Sequence, residues 1–229
     1  MIKQIVSKLA VLAALVLLCC STIFISYSAR AQCPTCPCPP VPIDDAQYDT
    51  TPIPWQGPYD TCVNISVDDA GDSCFVTICY AARQTSVNNF DYCLLKVCWD
   101  PTVCSPDDSL LLDSASWWLM QYNPQHFTAD LCPCTGDCST CHGRDIHWSE
   151  NFVTCWTICF TQQGGKYLQY CPDHGWCINA YWACQPIVGG PIKLCYDRSV
   201  QTTWQCNNQP PHLPCEAPCT KEGCPTGRP

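Results

Sequence analysis

The sequence predicts a mainly β, disulfide-rich fold in which two related antiparallel β-modules are joined by one α-helix and a Cys/His-rich loop. Three observations support this fold class. The chain of 229 residues contains 25 cysteines, a density typical of disulfide scaffolds. Segments rich in aromatic and β-branched residues occur in two similar copies. Between these copies lies one amphipathic segment with helix start and stop signals.

Residues 1–31 are predicted to be a signal peptide. Two lysines precede an apolar run over residues 9–25, and Ala29 and Ala31 supply the small residues that a signal peptidase requires. An uncleaved membrane anchor is the alternative, but the apolar run is at the short limit for crossing a bilayer. Cleavage before Gln32 leaves no predicted membrane span.

The mature chain is acidic and rich in cysteine. Removing the leader takes two cysteines and three basic residues, which leaves 23 cysteines, 8 basic residues, 20 acidic residues and a net charge of −12. The leader and the cysteines predict a secreted protein, outside the cell or at its surface, with the periplasm as the alternative. The negative charge argues against a nucleic-acid partner. Because the cysteine count is odd, at least one cysteine is free, bound to another group or paired with a second molecule.

The two ends of the mature chain resemble each other. Residues 32–54 form a predicted N-terminal arm and residues 207–229 a C-terminal tail, and each contains three cysteines between prolines. The prolines predict extended segments that largely lack regular structure. The cysteines either fasten each segment to the body or pair between molecules, as in a cross-linked polymer. A second copy of the chain is therefore a candidate partner.

Residues 55–104 form the first predicted β-module. Two segments typical of strands, 74–80 and 90–99, flank a polar turn at 84–89. The four cysteines of these segments are disulfide candidates: Cys74, Cys79, Cys93 and Cys98. In one antiparallel register the first faces the last and the middle two face each other, on opposite faces of the hairpin. The alternative is that each cysteine reaches a partner in another sheet.

Residues 105–124 form the predicted connecting helix. Ser105 is the expected N-cap, Pro106 takes the first helical position, and Asn123 with Pro124 ends the helix. Six residues fall on one face and predict its core side: Leu111, Leu112, Ala115, Trp118, Leu119 and Tyr122. Leu110 and Trp117 lie on the other side, where they either cover the second module or form a contact patch.

Residues 148–206 form the second predicted β-module. Their cysteine spacing and sequence resemble those of the first module, which indicates a duplication. The hairpin turn is expected at Gly164 and Gly165. The corresponding disulfide candidates are Cys155, Cys159, Cys171 and Cys177. The first faces the last, and the middle two face each other, if a bulge shifts the register.

Residues 125–147 form the Cys/His-rich loop that separates the helix from the second module. Within it, Cys138, Cys141 and His142 form the Cys-x-x-Cys-His pattern that attaches haem c. The pattern resembles the attachment motif of c-type cytochromes over five residues. The resemblance implies that the two thiols bind the porphyrin and that the histidine binds the iron. On this alternative the protein is an extracytoplasmic electron carrier.

The same loop also offers ligands for a metal ion. Cys132, Cys134 and His147 are weak candidates, together with the cysteines of the haem motif, because their types and spacing suit zinc. An oxidising compartment, however, converts neighbouring thiols into disulfides. The favoured interpretation is a loop knotted by disulfides that binds no cofactor.

The functional prediction is a secreted, disulfide-stabilised structural or interaction protein of the cell surface or of an extracellular assembly. The sequence contains no nucleophile elbow, phosphate loop or paired carboxylates typical of glycosidases, which favours a protein without enzymatic activity. Nine tryptophans and ten tyrosines suit a surface that associates with itself. The alternative function is electron transfer through haem c.

Overall fold

The computed structural model describes twelve stretches of the chain: 33–40, 53–66, 73–122, 124–125, 127, 132–133, 147–153, 155–162, 164–171, 176–185, 192–201 and 215–221. Ten strands in one sheet and one helix lie within these stretches. They are β1 Gln56–Ser66, β2 Ser73–Ser86, β3 Asn89–Trp99, α1 Asp108–Tyr122, β4 Cys132–Pro133, β5 His147–Val153, β6 Cys155–Phe160, β7 Lys166–Tyr170, β8 Trp176–Gln185, β9 Lys193–Gln201 and β10 Cys215–Lys221. The predicted fold class, mainly β and disulfide-rich, is confirmed.

The sheet branches at β3. One edge of β3 pairs with β2 in an antiparallel hairpin, and β1 continues the sheet beyond β2. The other edge is shared, because residues 90–93 pair with β5 in parallel and residues 96–99 pair with β7 in antiparallel. One branch continues through β5 to β8, β9 and β4, and the other through β7 to β6 and β10. Strands from both predicted modules therefore belong to one sheet.

The register of the β2–β3 hairpin differs from the one that would pair Cys74 with Cys98 and Cys79 with Cys93. A two-residue turn at Val87 and Asn88 closes the hairpin within the predicted polar segment. This turn sets the register, which places Cys98 opposite Thr77 and Cys93 opposite Ala81. The cysteines of the two strands are consequently not opposite one another, and the cross-hairpin disulfides are not formed.

The predicted turn of the second module is confirmed. The amide of Gly164 donates to the carbonyl of Thr161 at 3.1 Å, and Gly164 has a φ of 86°, which glycine adopts without strain. β6 and β7 then pair with Cys159 opposite Tyr167. The expected pairing of Cys159 with Cys171 across this hairpin is therefore wrong.

Helix α1 begins two residues later than an N-cap at Ser105 would place it. The carboxylate of Asp107 accepts from the amides of Ser109 at 3.0 Å and Leu110 at 3.1 Å, so Asp107 is the N-cap. A carboxylate satisfies these free amides and also complements the positive end of the helix dipole.

The core face of α1 agrees with the prediction at four positions and differs at two. The buried side chains are Leu111, Leu112, Ala115, Ser116, Leu119 and Met120. Trp118 packs against the main core but is only partly buried, and Tyr122 is exposed, with its ring stacked on that of Trp118 at 5.1 Å. On the other side, Trp117 meets the ring of Tyr181 on β8 at 5.6 Å, which confirms that it covers the second half of the chain. Within the described stretches no helix combines the length and hydropathy needed to cross a membrane.

The two faces of the β2–β3 hairpin have different partners. On one face, alternate residues such as Ile78, Tyr80 and Leu94 join α1 in the main core. On the opposite face, Cys79, Ala81, Leu95 and their neighbours form a second cluster. Alternation along a strand explains this division, because successive side chains point to opposite faces.

The two chain ends differ from each other. Residues 33–40 form neither helix nor strand, as the prolines predict. The C-terminal tail, however, is not wholly irregular, because β10 pairs in antiparallel with β6 and includes Pro218. The pairing skips from Glu216 to Thr220, so the proline lies where the ladder is interrupted.

Candidate functional site

Most of the predicted haem and metal ligands fall outside the stretches that the structure describes. This applies to Cys138, Cys141, His142 and Cys134. The backbone of Cys132 lies in β4, opposite Cys184 of β8. The backbone of His147 lies in β5, opposite Trp182 of β8. The haem and zinc sites therefore stay predictions, and across the described residues no group of three or more His, Cys, Asp and Glu could hold a metal ion.

The cysteines that the structure brings together are those of the N-terminal arm and the first hairpin. Residues 33–40, here called the strap, lie on the second face of the hairpin. Three disulfides hold the strap there, and each reaches a different strand: Cys33–Cys62 on β1, Cys36–Cys98 on β3 and Cys38–Cys79 on β2. The arm is thus fastened to the body at this end, which is one of the two arrangements predicted for it.

Two further disulfide candidates have partners different from the predicted ones. Cys74 bonds to Cys104 and Cys159 bonds to Cys215. Cys155, Cys171 and Cys177 are disulfide-bonded as well. Among the described candidates, Cys93 alone carries a free thiol. Every predicted disulfide cysteine except Cys93 is therefore bonded, but the pairs predicted within the first hairpin and between Cys159 and Cys171 are wrong.

Hydrogen bonds attach the strap at regular intervals. The hydroxyl of Thr77 donates to the carbonyl of Pro34 at 2.7 Å, and the ammonium of Lys96 donates to the carbonyl of Pro37 at 3.0 Å. The hydroxyl of Tyr170 donates to the carbonyl of Pro40 at 3.3 Å. The three accepting carbonyls occur at every third residue, which is the repeat of a polyproline II helix. The carbonyls of such a helix make no hydrogen bonds within it and are available to outside donors. Prolines can only accept, so donors on the sheet are the complementary groups.

Lys96 is the charged residue among the three side chains that donate to the strap carbonyls. Its side chain is only 5% exposed, and its ammonium also lies 3.8 Å from the centre of the Tyr167 ring. Burial lowers the pKa of Lys96 below its ordinary value, because water solvates the cation poorly there. The carbonyl of Pro37 and the face of Tyr167 are the groups that compensate the cation.

The strap disulfides lie against one another above a buried free thiol. The sulfur of Cys79 is 4.0 Å from the sulfur of Cys36, so two of the three strap disulfides are in contact. Cys93 belongs to the same cluster and is 1% exposed. Burial raises the pKa of the Cys93 thiol, which keeps it protonated at neutral pH. A thiol in this state is a poor nucleophile, so the cluster is suited to permanent cross-linking and not to exchange chemistry.

An ion pair between buried Arg83 and partly buried Asp91 lies at the far end of the same face. The guanidinium of Arg83 donates to the carboxylate of Asp91 at 2.8 Å and to the carbonyl of Ile53 at 3.1 Å. The ring of Trp55 lies 4.2 Å from the guanidinium carbon. The hydroxyl of Ser149 donates to the other oxygen of Asp91. These contacts tie the entry to β1 and strands β2, β3 and β5 to one another.

The sequence prediction missed Arg83, Asp91 and Lys96. A signal for them existed, because each is a charged residue inside an otherwise apolar strand. Charged side chains are rarely buried without a partner. The partners of Lys96 and Arg83 include backbone carbonyls of a distant segment, which no strand pattern indicates.

Alkylation of Cys93 is expected to require unfolding. In the folded, oxidised protein we expect iodoacetamide to leave Cys93 unmodified between about pH 7 and about pH 9, whereas denaturant without reductant makes it reactive. The buried thiol holds its proton more tightly than a thiol of the unfolded chain. Its contribution to stability is therefore complete below the pKa of the unfolded thiol, about 8.5, and decreases as the pH rises above it. Peptide mapping measures this modification, and rapid labelling of the native protein would contradict the burial.

No protein-family model, no curated protein and no solved structure matches this chain. A function must therefore be inferred from the chemistry of its own residues.

Proposed function

We propose that this protein is a secreted, disulfide-locked structural or interaction component of a cell surface or of an extracellular assembly. The observation that supports this function most strongly is the strap, whose three disulfides join β1, β2 and β3 through a segment that is not itself a strand. Such cross-links restrict the unfolded chain and resist separation of the strands.

The compartment follows from the same cross-links. A protein with this many disulfides keeps them in an oxidising compartment, whereas glutathione and thioredoxin reduce such bonds in the cytosol. The leader predicted at residues 1–31 agrees with export. The five disulfides whose partners are described, together with the acidic mature chain, favour a protein that functions outside the cell.

Exposed aromatic rings support the interaction part of the proposal. Tyr122 is 55% exposed and Tyr196 is 43% exposed. Tyr122 stacks on Trp118, and Tyr196 meets Tyr181 at 6.0 Å, so each exposed ring is held by a second aromatic ring. Rings fixed in this way offer contact area at a low cost in side-chain entropy.

Location and oxidation state in the source cells test this proposal. We expect a membrane-impermeant biotinylation reagent to label the protein on intact cells, or the protein to be found in the medium, in both cases with the strap disulfides formed. A cytosolic protein of the same cells serves as the control and should stay unlabelled. Recovery of the protein in the cytosol with reduced strap cysteines would contradict the proposal.

A further inference from the structure

We propose that the strap of one copy also occupies the strap-binding face of a second copy, so that the disulfides that close one chain can join two chains. This inference depends on the proposed structural function and names the partner, a second copy of this chain. The strap-binding face is defined by six residues: Cys62, Thr77, Cys79, Lys96, Cys98 and Tyr170.

The strap and its face are complementary and far apart in sequence. The strap disulfides span separations of 29, 62 and 41 residues. The hydrogen bonds to Pro34, Pro37 and Pro40 span separations of 43, 59 and 130 residues. Every described bond between the two parts can therefore be made in the same geometry whether they belong to one chain or to two, as in domain swapping.

The connection between the strap and the body is long enough for exchange. Twelve residues, 41–52, separate Pro40 from Ile53. A chain of this length reaches up to about 40 Å when it is fully extended. The diameter of a folded domain of this size is also about 40 Å. A strap can therefore reach the corresponding face of a neighbouring molecule without unfolding its own body.

The body keeps its main core when the strap is elsewhere. The strap contributes no strand to the sheet, and α1 packs against the opposite face of the hairpin. The groups uncovered on the strap-binding face include the hydroxyl of Thr77 and the ammonium of Lys96, which water can solvate. A body whose strap-binding face is not covered by its own strap can therefore bind the strap of a second copy.

The chemistry is the same for both arrangements. Each disulfide forms when two thiols give up two electrons and two protons to an oxidant such as oxidised glutathione, which becomes two glutathione thiols. The competition between closing one chain and joining two depends on the local concentration of the strap around its own body, which is on the order of millimolar for a tether of a few to a dozen residues. Exchange should therefore increase with protein concentration.

Isotope mixing provides the test. Equal amounts of ¹⁵N-labelled and unlabelled mature chain are reduced, mixed and refolded with reduced and oxidised glutathione over a series of protein concentrations. Digestion with pepsin in acid prevents further thiol exchange, and mass spectrometry identifies strap peptides linked to Cys98 peptides. We expect linked peptides with one labelled and one unlabelled partner to increase with concentration, towards about half of the total for random pairing between chains.

The Cys74–Cys104 linkage is the internal control. Both of its cysteines belong to the body, since Cys74 lies in β2 and Cys104 lies between β3 and α1. Its linked peptides should therefore keep a single isotope composition. Strap linkages of uniform isotope composition at every concentration would overturn the inference. Equal isotope mixing in the strap and control linkages would overturn it too, because that result indicates general disulfide scrambling.

A second measurement does not depend on refolding. Tagged and untagged full-length chains are secreted from the same cells, and the tagged protein is captured without reductant. We expect the untagged chain to be captured with it and to be released by reductant alone, through strap linkages. Absence of the untagged chain would overturn strap exchange, while intact strap disulfides within each chain would leave the proposed disulfide-locked function standing.

Discussion

Replacing Asp91 with alanine is expected to lower the free energy of unfolding by about 3–5 kcal/mol. The substitution removes the carboxylate that lies 2.8 Å from the guanidinium of Arg83, a side chain that is 3% exposed. The carbonyl of Ile53 and the ring of Trp55 remain, but neither carries a negative charge. The loss is large because water cannot solvate the remaining cation in this position.

Denaturant titration of the oxidised protein measures the effect of Asp91→Ala. The double variant Arg83→Met with Asp91→Leu should lose much less stability, since it removes both charges together. Asp60→Ala, at an exposed position of β1, is the matched control for loss of an aspartate and should change stability far less. A loss for Asp91→Ala no larger than that for Asp60→Ala would show that the ion pair does not hold β3 in place.

Removing the central strap disulfide is expected to have a comparable effect. For Cys36→Ser combined with Cys98→Ser, we expect a loss of about 3 kcal/mol through the greater entropy of the unfolded chain, because the Cys38–Cys79 disulfide stays closed and shortens the loop that is opened. Both cysteines are replaced because Cys36 lies 4.0 Å from the sulfur of Cys79, and a single substitution would allow a new pairing.

The same denaturant titration, performed without reductant, tests this second expectation. Reductant should destabilise the wild-type protein more than the double variant, since the variant has already lost one cross-link. The variant Thr77→Val is a useful comparison, because it removes the hydrogen bond to Pro34 and keeps all the strap cysteines. An unchanged midpoint for the double variant would mean that the strap contributes little to the stability of the body.

Local features of the fold could be predicted from the sequence. The hairpin turns near Val87 and Gly164, the existence of α1 and most of its core face follow from short-range patterns that act within one element. The N-cap was misplaced because Ser105 and Asp107 are both good capping residues, and the choice between them depends on where the preceding loop leaves the chain.

The disulfide partners could not be predicted in the same way. Cysteine spacing indicates which segments carry bonds, but the partners of Cys79 and Cys98 come from the strap, 41 and 62 residues away. The hairpin register, fixed by a two-residue turn and by burial on both faces, removes the cross-strand alternatives. The burial of Lys96 likewise depends on a carbonyl of the strap. Long-range pairing of this kind has no signal within either segment.

Mapping the disulfides of the native protein tests the central claim most directly. Digestion in acid without reductant, after free thiols have been blocked in denaturant, should yield Cys33–Cys62, Cys36–Cys98 and Cys38–Cys79 linkages, with Cys93 as a blocked thiol. A Cys79–Cys93 or Cys74–Cys98 linkage would contradict the strap, since it would join the two strands of the hairpin to each other and leave the cysteines of residues 33–40 without these partners.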